Sequence, residues 1–428
     1  MLPLPRAARP RGAPRWVAIA AIGGILITAG CSTKASDDDS TAAAGGTIAT
    51  GPGVSGDTIR LGVLTDQTGV FAGVGKSISQ GRQLYWDQKN SQGGVCNRRV
   101  EFVVKDHGYN PQQAVAGYAQ VKDNVLALDE LLGSPVIAAL GPTIQTDQML
   151  TFAASFSSSL LSNPYVVVTG TTYDIEMING LQALIDEKKV AAGDTVGHIF
   201  LEGDYGQNAL AGSRTAAKEF GLHLVEHKIT PTDTDLTAPV TALRNAGAKV
   251  ILLTTTPAQA ASAVSVAAAS GFDATFLGSS PVFSPQLLAG PAKPALEKNL
   301  LIASSLAPFS ADSAGVQQVR QEFTSKYPGQ PQTAFVMYGY AQGQIMAQIL
   351  ESACRGGALT RSGLLNGLRS LSTVDTQGLI APLDYSKPGG IPARQVYLLQ
   401  PDAATAGGLK VVRPLFSSTL GDSYQPTG

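Results

Sequence analysis

The sequence predicts an α/β protein made of two doubly wound lobes with a ligand-binding cleft between them. Short, continuous apolar runs, typical of strands buried on both faces of a parallel sheet, alternate with helical patterns along most of the chain. The chain has 428 residues, which is more than the roughly 100–200 residues of one typical domain. Open sheets of βαβ units bind ligands at the carboxyl ends of their strands. In a protein with two such sheets, we therefore expect the ligand in a cleft between them.

The first predicted elements follow one another in the order of a βαβ unit. They are a strand at 59–65, a Gly-rich turn at 68–75, a helix at 76–90 and a strand at 100–105. Asn110 and Pro111 then begin a helix, because Asn is a good N-cap and Pro favours the first helical position. The apolar run at 136–140 is predicted as the third strand.

The same alternation returns in the second half of the chain. Strands are predicted at 195–201, 222–229 and 250–254, each followed by a helical stretch. Asp235 is a good N-cap for the helix that carries Leu236, Val240 and Leu243 on one face. These units predict the second parallel sheet.

The N-terminus has the pattern of a bacterial lipoprotein signal. Four arginines precede an apolar run at 16–27, and small residues lead to Cys31. The run is shorter than the roughly 20 apolar residues of a membrane span. We therefore expect a signal peptide at 1–30, a lipidated Cys31 and an exported protein anchored on the extracytoplasmic face. The alternative is an uncleaved anchor, which would hold the same domain outside the membrane.

Residues 31–56 are predicted as the lipidated cysteine and a flexible tether, because Ser, Thr, Ala, Gly and Asp dominate this segment. Two cysteines remain after it, Cys96 and Cys354. In an exported protein an even pair favours a disulfide over two free thiols. The net charge of −1 and pI near 6.4 provide no basic surface for nucleic acid.

Several short motifs occur in an order that resembles the branched-chain (Leu/Ile/Val) amino-acid binding proteins of bacterial ABC importers. The motifs are Leu64 to Gly69, Phe71-Ala72 with Gly75, Gly93-Gly94-Val95, Asp106, Gly141-Pro142-Thr143, Gly203 to Gly206, Thr230 to Asp235, Tyr338 to Ala341 and Ile380 to Tyr385. The resemblance implies the type I periplasmic-binding-protein fold, with two Rossmann-like lobes joined by three crossovers. It places the first lobe at 57–172 plus 306–382 and the second at 173–305 plus 383–428.

The resemblance also implies a ligand site between the lobes, where hydroxyls and main-chain amides bind a carboxylate and an acidic side chain meets an ammonium group. The matching residues here are Phe71, Gly141, Pro142, Thr143, Ser155, Phe156, Ser157, Tyr205, Thr255, Gln259 and Phe283. Phe156 stands where the family usually has a hydroxyl, and Gln259 where it has the acid. The resemblance implies an amino-acid-like ligand. Because a neutral amide does not compensate a buried ammonium, a neutral or singly anionic ligand with an apolar body is expected in its place.

Each of these assignments has a structural alternative. The aromatic side chains could instead pack in the hydrophobic cores of the lobes. Thr254 to Thr256 suit a cap for the helix that begins at Pro257, and the serine run at 155–159 suits a loop with nothing bound. Tyr338 and Tyr340 lie in a helix rich in Ala and Gly, and we assign both to packing.

The sequence does not display the residues of an enzyme. The stretch Gly69 to Ser77 resembles a phosphate-binding loop, but it has five residues between its end glycines where that motif requires four. His223 and His227 are four apart on a predicted strand, with no acidic cluster to complete a zinc site. No Gly-x-Ser-x-Gly sequence is present. We therefore expect neither catalysis nor a bound metal or cofactor.

Two functions fit these observations. In the first, the two lobes close on a small molecule and a membrane permease of an ABC importer recognises the closed form. In the second, the same closure is sensed by a signalling partner. The family resemblance favours transport, since the fold alone does not distinguish the two.

Overall fold

The computed structural model describes residues 48–426. The predicted signal peptide at 1–30, the predicted lipidation site Cys31 and residues 32–47 lie outside this range. The strands are β1 (Ala49–Thr50), β2 (Thr58–Thr65), β3 (Arg99–Asp106), β4 (Leu128–Leu132), β5 (Thr151–Ala154), β6 (Val166–Val168), β7 (Thr195–Leu201), β8 (His223–Ile229), β9 (Ala248–Thr254), β10 (Thr275–Gly278), β11 (Leu300–Ser304), β12 (Ala358–Leu359), β13 (Thr373–Val374), β14 (Leu383–Asp384), β15 (Val396–Pro401) and β16 (Leu409–Phe416).

The helices alternate with these strands in the order expected for βαβ units. They are α1 (Ala72–Ser91), α2 (Pro111–Val121), α3 (Ser134–Thr146), α4 (Tyr173–Asp186), α5 (Asp204–Phe220), α6 (Thr237–Asn245), α7 (Pro257–Ala269), α8 (Lys293–Asn299), α9 (Ala314–Lys326), α10 (Ala334–Arg355), α11 (Arg361–Arg369) and α12 (Thr419–Ser423). Within residues 48–426, none of the helices has both the length and the apolar composition of a transmembrane span.

Two open sheets organise the chain. The first has five parallel strands in the order β3-β2-β4-β5-β6. The second has seven strands in the order β16-β15-β11-β10-β9-β7-β8, in which β15 and β16 are antiparallel additions to one edge. We call the first sheet with α1–α3 and α9–α11 the first lobe, and the second sheet with α4–α8 the second lobe. The predicted α/β fold class of two doubly wound lobes is confirmed.

Three chain segments run side by side where the lobes join. The Thr171 N–H donates to Ser305 Oγ at 3.0 Å, and the Ser305 carbonyl accepts the Ala381 N–H at 2.8 Å. The Thr171 hydroxyl donates to the carbonyl of Gln395 at 2.7 Å. These bonds connect the segments that precede α4, follow β11 and precede β15. The lobe boundaries at 172, 305 and 382 stay a prediction.

The predicted strand at 136–140 was wrong, because these residues lie inside α3. A short apolar run does not distinguish a strand from a buried helix, and Pro135 in the first helical turn was the overlooked helix signal. The third strand is β4, whose sequence Leu-Asp-Glu-Leu-Leu is buried throughout. This strand was not predicted because Asp129 and Glu130 interrupt its apolar pattern, and buried carboxylates are uncommon.

The predicted tether was wrong for residues 48–56, which are part of the fold. Ala49 and Thr50 pair with Ala358 and Leu359 in a parallel ladder. Gly53 has φ 78°, and a Cβ there would lie 2.7 Å from main-chain atoms of Val125 and Leu126, just before β4. Gly53, which contributed to the prediction of disorder, is therefore explained by a close approach of two chain segments.

Cys96 and Cys354 form a disulfide with Cα atoms 6.4 Å apart. The bond connects the turn after α1 to the last turn of α10, and both helices belong to the first lobe. The two cysteines are separated by 258 residues in sequence. The bridge therefore joins the N-terminal part of the first lobe to the part that the chain adds after leaving the second.

Candidate functional site

An aromatic cleft lies between the lobes at the carboxyl ends of the strands. Its volume is about 390 Å³, including the space at its mouth. The residues that line it are Phe71, Val74, Tyr109, Leu132, Gly133, Ser134, Ala154, Phe156, Tyr173, Tyr205, Pro281, Phe335 and Tyr338. Tyr173, Tyr205 and Pro281 come from the second lobe. This is the place where doubly wound sheets bind ligands.

The rings in the cleft form a continuous series that crosses from one lobe to the other. Phe71 lies 4.8 Å from Tyr109 and 6.3 Å from Tyr205, measured between ring centroids. Tyr205 is 4.6 Å from Tyr173, which in turn is 5.6 Å from Phe156. These tilted and edge-to-face arrangements are the favourable geometries for aromatic pairs. The cleft therefore offers a ligand a mostly apolar, aromatic wall.

The loop that follows β2 holds Phe71 in the cleft. The buried Asp66 carboxylate accepts hydrogen bonds from the N–H groups of Thr68 at 3.2 Å, Gly69 at 2.5 Å and Phe71 at 2.9 Å. Gly75 allows α1 to approach the same loop, because a Cβ there would lie 2.1 Å from the Asp66 carbonyl oxygen. The sequence motif around Asp66 and Gly75 is thus a device for positioning Phe71.

The neighbouring loop after β3 positions Tyr109 in a similar way. Asp106 accepts the N–H of Gln67 at 2.9 Å and the hydroxyl of Thr68 at 2.8 Å, which joins the two loops. His107 Nδ1 accepts the N–H of Tyr109 at 3.1 Å. Burial lowers the pKa of His107, so the neutral ring acts as the acceptor that this bond needs.

The N-terminus of α3 opens onto the cleft. Gly133 precedes it with φ 103°, and a Cβ at this position would meet the Tyr109 ring at 2.7 Å. Ser134 begins the helix, and its hydroxyl lies 2.7 Å from the hydroxyl of Ser155. The first turn of a helix leaves main-chain N–H groups without intrahelical acceptors, and the helix dipole favours an anion there. This end of the cleft can hold a carboxylate.

Tyr205 lies in the first turn of α5 and forms the second-lobe wall. Its hydroxyl is 2.6 Å from the hydroxyl of Ser279 and 3.5 Å from the carbonyl oxygen of Thr255. Burial raises the pKa of Tyr205 well above its usual value, so the phenol stays neutral. Gly206 lets α5 approach β7, because a Cβ there would lie 1.9 Å from the Leu201 carbonyl oxygen.

None of the cleft-lining residues in the described chain carries a formal charge. Two buried acids near the cleft, Asp66 and Glu176, already have hydrogen-bond partners. Asp66 accepts the loop amides described above, and Glu176 accepts the N–H of Ser280 at 3.1 Å together with its hydroxyl. Burial raises the pKa of Glu176 to about 8, so this acid is mostly protonated at neutral pH. The cleft lacks the exposed carboxylate that an ammonium group needs.

Three of the predicted ligand residues, Phe71, Phe156 and Tyr205, line the cleft. Ser155 lies directly behind it and contacts the cleft through Ser134. The Ser157 hydroxyl is 2.9 Å from that of Ser159 and outside the lining. The fold therefore places three of these five residues in the wall of the cleft and the two serines close behind it.

The remaining predicted residues do not line the cleft. Gly141, Pro142 and Thr143 are in the last turns of α3, away from the cleft, because the strand expected before them is the helix itself. Thr255 and Gln259 are buried, and Gln259 completes a capping box with Thr256 at the start of α7. Phe283 packs near Gly408 and does not line the cleft, although Pro281, two residues before it, does. The alternative interpretation of Thr254 to Thr256 as a helix cap is correct for Thr256, and the part of Gln259 in the cap was not predicted.

The sequence interpretation missed several residues that line the cleft. They include Tyr109, Ser134, Tyr173, Phe335 and Tyr338. A signal was available for Ser134, since a hydroxyl residue before Pro135 marks a helix start. Tyr338 was assigned to packing, and it both lines the cleft and donates to the Ala153 carbonyl at 2.6 Å.

A family model described as "Periplasmic binding protein" matches residues 58–407, which include both sheets almost completely. The chain belongs to the periplasmic binding protein family. This family consists of extracytoplasmic proteins that bind small solutes, and it is not a family of enzymes, as the sequence predicted. Among residues 48–426 no group of three His, Cys, Asp or Glu side chains is placed to hold a metal ion.

Relatives of this periplasmic binding protein have several ligands in their names. A structure described as a fatty acid ABC transporter substrate-binding protein from Thermomonospora curvata is 43% identical, with a TM-score of 0.87, over 88% of this chain and 97% of the other. A branched-chain amino acid ABC transporter structure from Thermus thermophilus with bound valine is 20% identical, with a TM-score of 0.74, over 86% and 98%. At this identity the second likeness concerns the fold.

A curated relative, Leu/Ile/Val-binding protein homolog 3 of Brucella melitensis, is 24% identical over 201 residues. The match covers 45% of this chain and about half, 53%, of the relative. It agrees with the family resemblance seen in the sequence motifs. The identity of the ligand and of the partner is therefore argued below from the cleft itself.

Proposed function

We propose that this chain is the solute-binding lipoprotein of an ABC importer and that it binds a small carboxylate with an apolar body. The uncharged aromatic cleft with a helix N-terminus at one end is the observation that carries the proposal. A carboxylate fits beside the first turn of α3 and the hydroxyls of Ser134 and Ser155. The aromatic rings between Phe71 and Tyr205 suit the apolar part.

The uncharged lining disfavours a zwitterionic amino acid. An ammonium group that leaves water without a carboxylate partner costs several kcal/mol. The relative from Thermomonospora curvata, with 43% identity, supports a fatty acid as the class of carboxylate. The family's usual substrates, leucine, isoleucine and valine, are for these reasons the less suitable ligands.

Export and anchoring follow from the N-terminal sequence. The charged segment, the apolar run and Cys31 support cleavage before that cysteine and attachment of lipid to its thiol. The lipidated chain then remains on the extracytoplasmic face, close to its permease. Fractionation of producing cells tests this: wild type should sediment with membranes, whereas Cys31→Ser should appear in the soluble fraction. Membrane association of Cys31→Ser would favour an uncleaved anchor.

The ligand class is tested by calorimetry and thermal shift on the mature Cys31→Ser chain. Dodecanoate, benzoate, leucine and methyl dodecanoate form a matched set, since the methyl ester keeps the apolar chain and removes the negative charge. A ligand at about 100 times its Kd adds roughly 2.7 kcal/mol of stability, which shifts the melting temperature by several degrees. We expect dodecanoate to bind and leucine to have no effect. Binding of leucine alone would refute the proposal.

A further inference from the structure

The serine-rich turn at Ser158–Ser162 connects the two lobes. It follows β5 and therefore belongs to the first lobe. The Ser158 hydroxyl donates to the Asp174 carboxylate at 2.6 Å and accepts from the Asn208 side-chain amide at 2.6 Å. The Ser159 hydroxyl donates to the Asp204 carboxylate at 2.7 Å. All three partners are on α4 or α5 of the second lobe, so these bonds cross the interface between the lobes.

The inner acceptor, Asp174, is held in position by hydrogen bonds other than the one from Ser158. Asp174 is fully buried in the first turn of α4. Its other oxygen accepts the hydroxyl of Thr172 and the N–H of Ile175, the latter at 2.9 Å. Hydrogen bonds to a carboxylate are stronger than those between neutral groups. Asp174 is thus a rigid acceptor beside the crossover at Thr171.

The outer acceptor, Asp204, is the first residue of α5 and precedes Tyr205 of the cleft wall. Its negative charge at a helix N-terminus is favourable. One of its carboxylate oxygens accepts from Ser159, and the other is buried with no hydrogen-bond partner. The hydrogen bond from Ser159 is therefore the one that this partly buried carboxylate accepts. Its loss would leave both oxygens without a partner, which is energetically costly.

We propose that Ser158 and Ser159 form a clasp that holds the lobes closed and slows the release of ligand from the cleft. Both hydroxyls reach across the interface from one turn, and both acceptors are carboxylates on separate helices of the second lobe. Opening the cleft separates Ser159 from Asp204 and exposes the Asp204 side chain. The effect on ligand release rests on the proposed function, whereas the effect on closure does not.

Small-angle X-ray scattering of the ligand-free mature Cys31→Ser chain tests closure directly. The wild-type curve should fit the closed structure, and the double variant Ser158→Ala/Ser159→Ala should have a larger radius of gyration. Ser162→Ala is the matched control, because its hydroxyl bonds only to the Ser159 carbonyl within the same turn. A wild type that is already open, or a double variant that is as compact as wild type, would overturn the clasp.

A double-mutant cycle separates the clasp from a general loss of stability. Ser159→Ala and Asp204→Ala, singly and together, should each expand the ligand-free protein, and the double variant should expand it no further. Additive expansion would show that the two side chains act independently and would contradict the proposal. Ser159→Thr keeps the hydroxyl at an exposed position and should restore the compact form.

Stopped-flow release of dodecanoate tests retention. Loss of two hydrogen bonds to carboxylates should increase koff on the order of tenfold or more, while Ser162→Ala releases the ligand at the wild-type rate. An unchanged koff in the double variant would contradict the role in retention. If wild type does not bind dodecanoate at all, the proposed ligand class fails, and the scattering comparison still decides whether the clasp exists.

Discussion

The rings of Phe71 and Tyr205 meet in an edge-to-face arrangement across the cleft, with 6.3 Å between centroids and 77° between planes. Phe71 is held by the loop after β2 in the first lobe, and Tyr205 by the start of α5 in the second. The two side chains approach each other only when the lobes are together. The aromatic wall therefore has one side from each lobe, and a ligand bound against both rings would favour the closed form over the open one.

Replacement of Tyr205 tests this wall. Tyr205→Ala removes the ring that connects Phe71 with Tyr173, and we expect the Kd for dodecanoate to rise on the order of 100-fold. Tyr205→Phe keeps the ring and loses the bond to Ser279, so the increase should be closer to tenfold. Isothermal titration calorimetry measures both values, with circular dichroism to confirm the fold.

Tyr340→Phe is the matched control for these variants. Tyr340 is in α10, bonds to Gln88 at 3.0 Å and does not line the cleft. The affinity of this variant should equal that of wild type. If Tyr205→Ala also binds with unchanged affinity, the cleft between the lobes is not the ligand site.

Much of the fold was predictable because its strands are apolar runs. The strand at 195–201 and the helix start at Asn110 were predicted correctly, and Asn110 caps α2 by accepting the N–H groups of Gln112 and Gln113. The strand β4 was not predictable by the same rule, because Asp129 and Glu130 interrupt its apolar pattern. Its burial depends on Arg82 from α1, a contact between residues far apart in sequence.

The site was predictable only where a loop follows a strand directly. Phe71, Phe156 and Tyr205 come from such loops or from the helix turn after them, and all three line the cleft. Tyr173 follows a crossover and Tyr338 enters from a long helix of the returning chain. Nothing in the local sequence indicates that these residues face the same space, because the crossovers bring them there.

Removal of the disulfide should destabilise the first lobe. Cys96→Ser opens a loop of 258 residues, and the loss of a native disulfide costs about 2–5 kcal/mol. We expect the melting temperature of wild type in oxidising buffer to exceed that of Cys96→Ser by several degrees. A reductant should lower the wild-type value to that of the variant and leave Cys96→Ser unchanged. An equal effect of reductant on both proteins would mean that the bond does not contribute.

The buried carboxylate of Asp129 should make stability depend on pH. It lies 3.9 Å from Arg82 Nε, and both its oxygens lack a hydrogen bond. Burial raises the pKa of Asp129 to about 7. Between about pH 4 and pH 7 the unfolded chain loses this proton while the folded chain keeps it, so the free energy of unfolding decreases as the pH rises. Above pH 7 this contribution is constant.

Asp129→Asn isolates this effect, because the amide resembles the protonated acid and does not ionise. Urea titrations of the two proteins at pH 4, 5, 6, 7 and 8 should give similar stabilities at pH 4 and an increasing advantage for Asp129→Asn up to pH 7. The exposed Asp123→Asn serves as the control. A constant difference between wild type and Asp129→Asn across this range would show that Asp129 does not titrate as a buried acid.

Gln259 tests whether a missing acid determines the ligand. Its amide nitrogen donates to the carbonyls of Thr230 at 2.8 Å and Asp233 at 2.9 Å, and its oxygen accepts the N–H of Thr256 at 3.0 Å. Gln259→Glu would place a carboxylate oxygen against two carbonyls in a buried site. We expect a loss of about 2–3 kcal/mol of stability and no binding of leucine, because this side chain holds the start of α7 and is absent from the cleft lining.

The exposed Gln321→Glu on α9 is the matched control and should match wild type in stability. Urea unfolding and leucine titration of both variants are the measurements. Leucine binding by Gln259→Glu would show that this position reaches the ligand and that a single amide excludes amino acids. If Gln259→Glu does not bind leucine and still binds dodecanoate, position 259 is not what excludes an ammonium group. The exclusion is then due to the uncharged walls of the cleft, where no carboxylate faces the ligand.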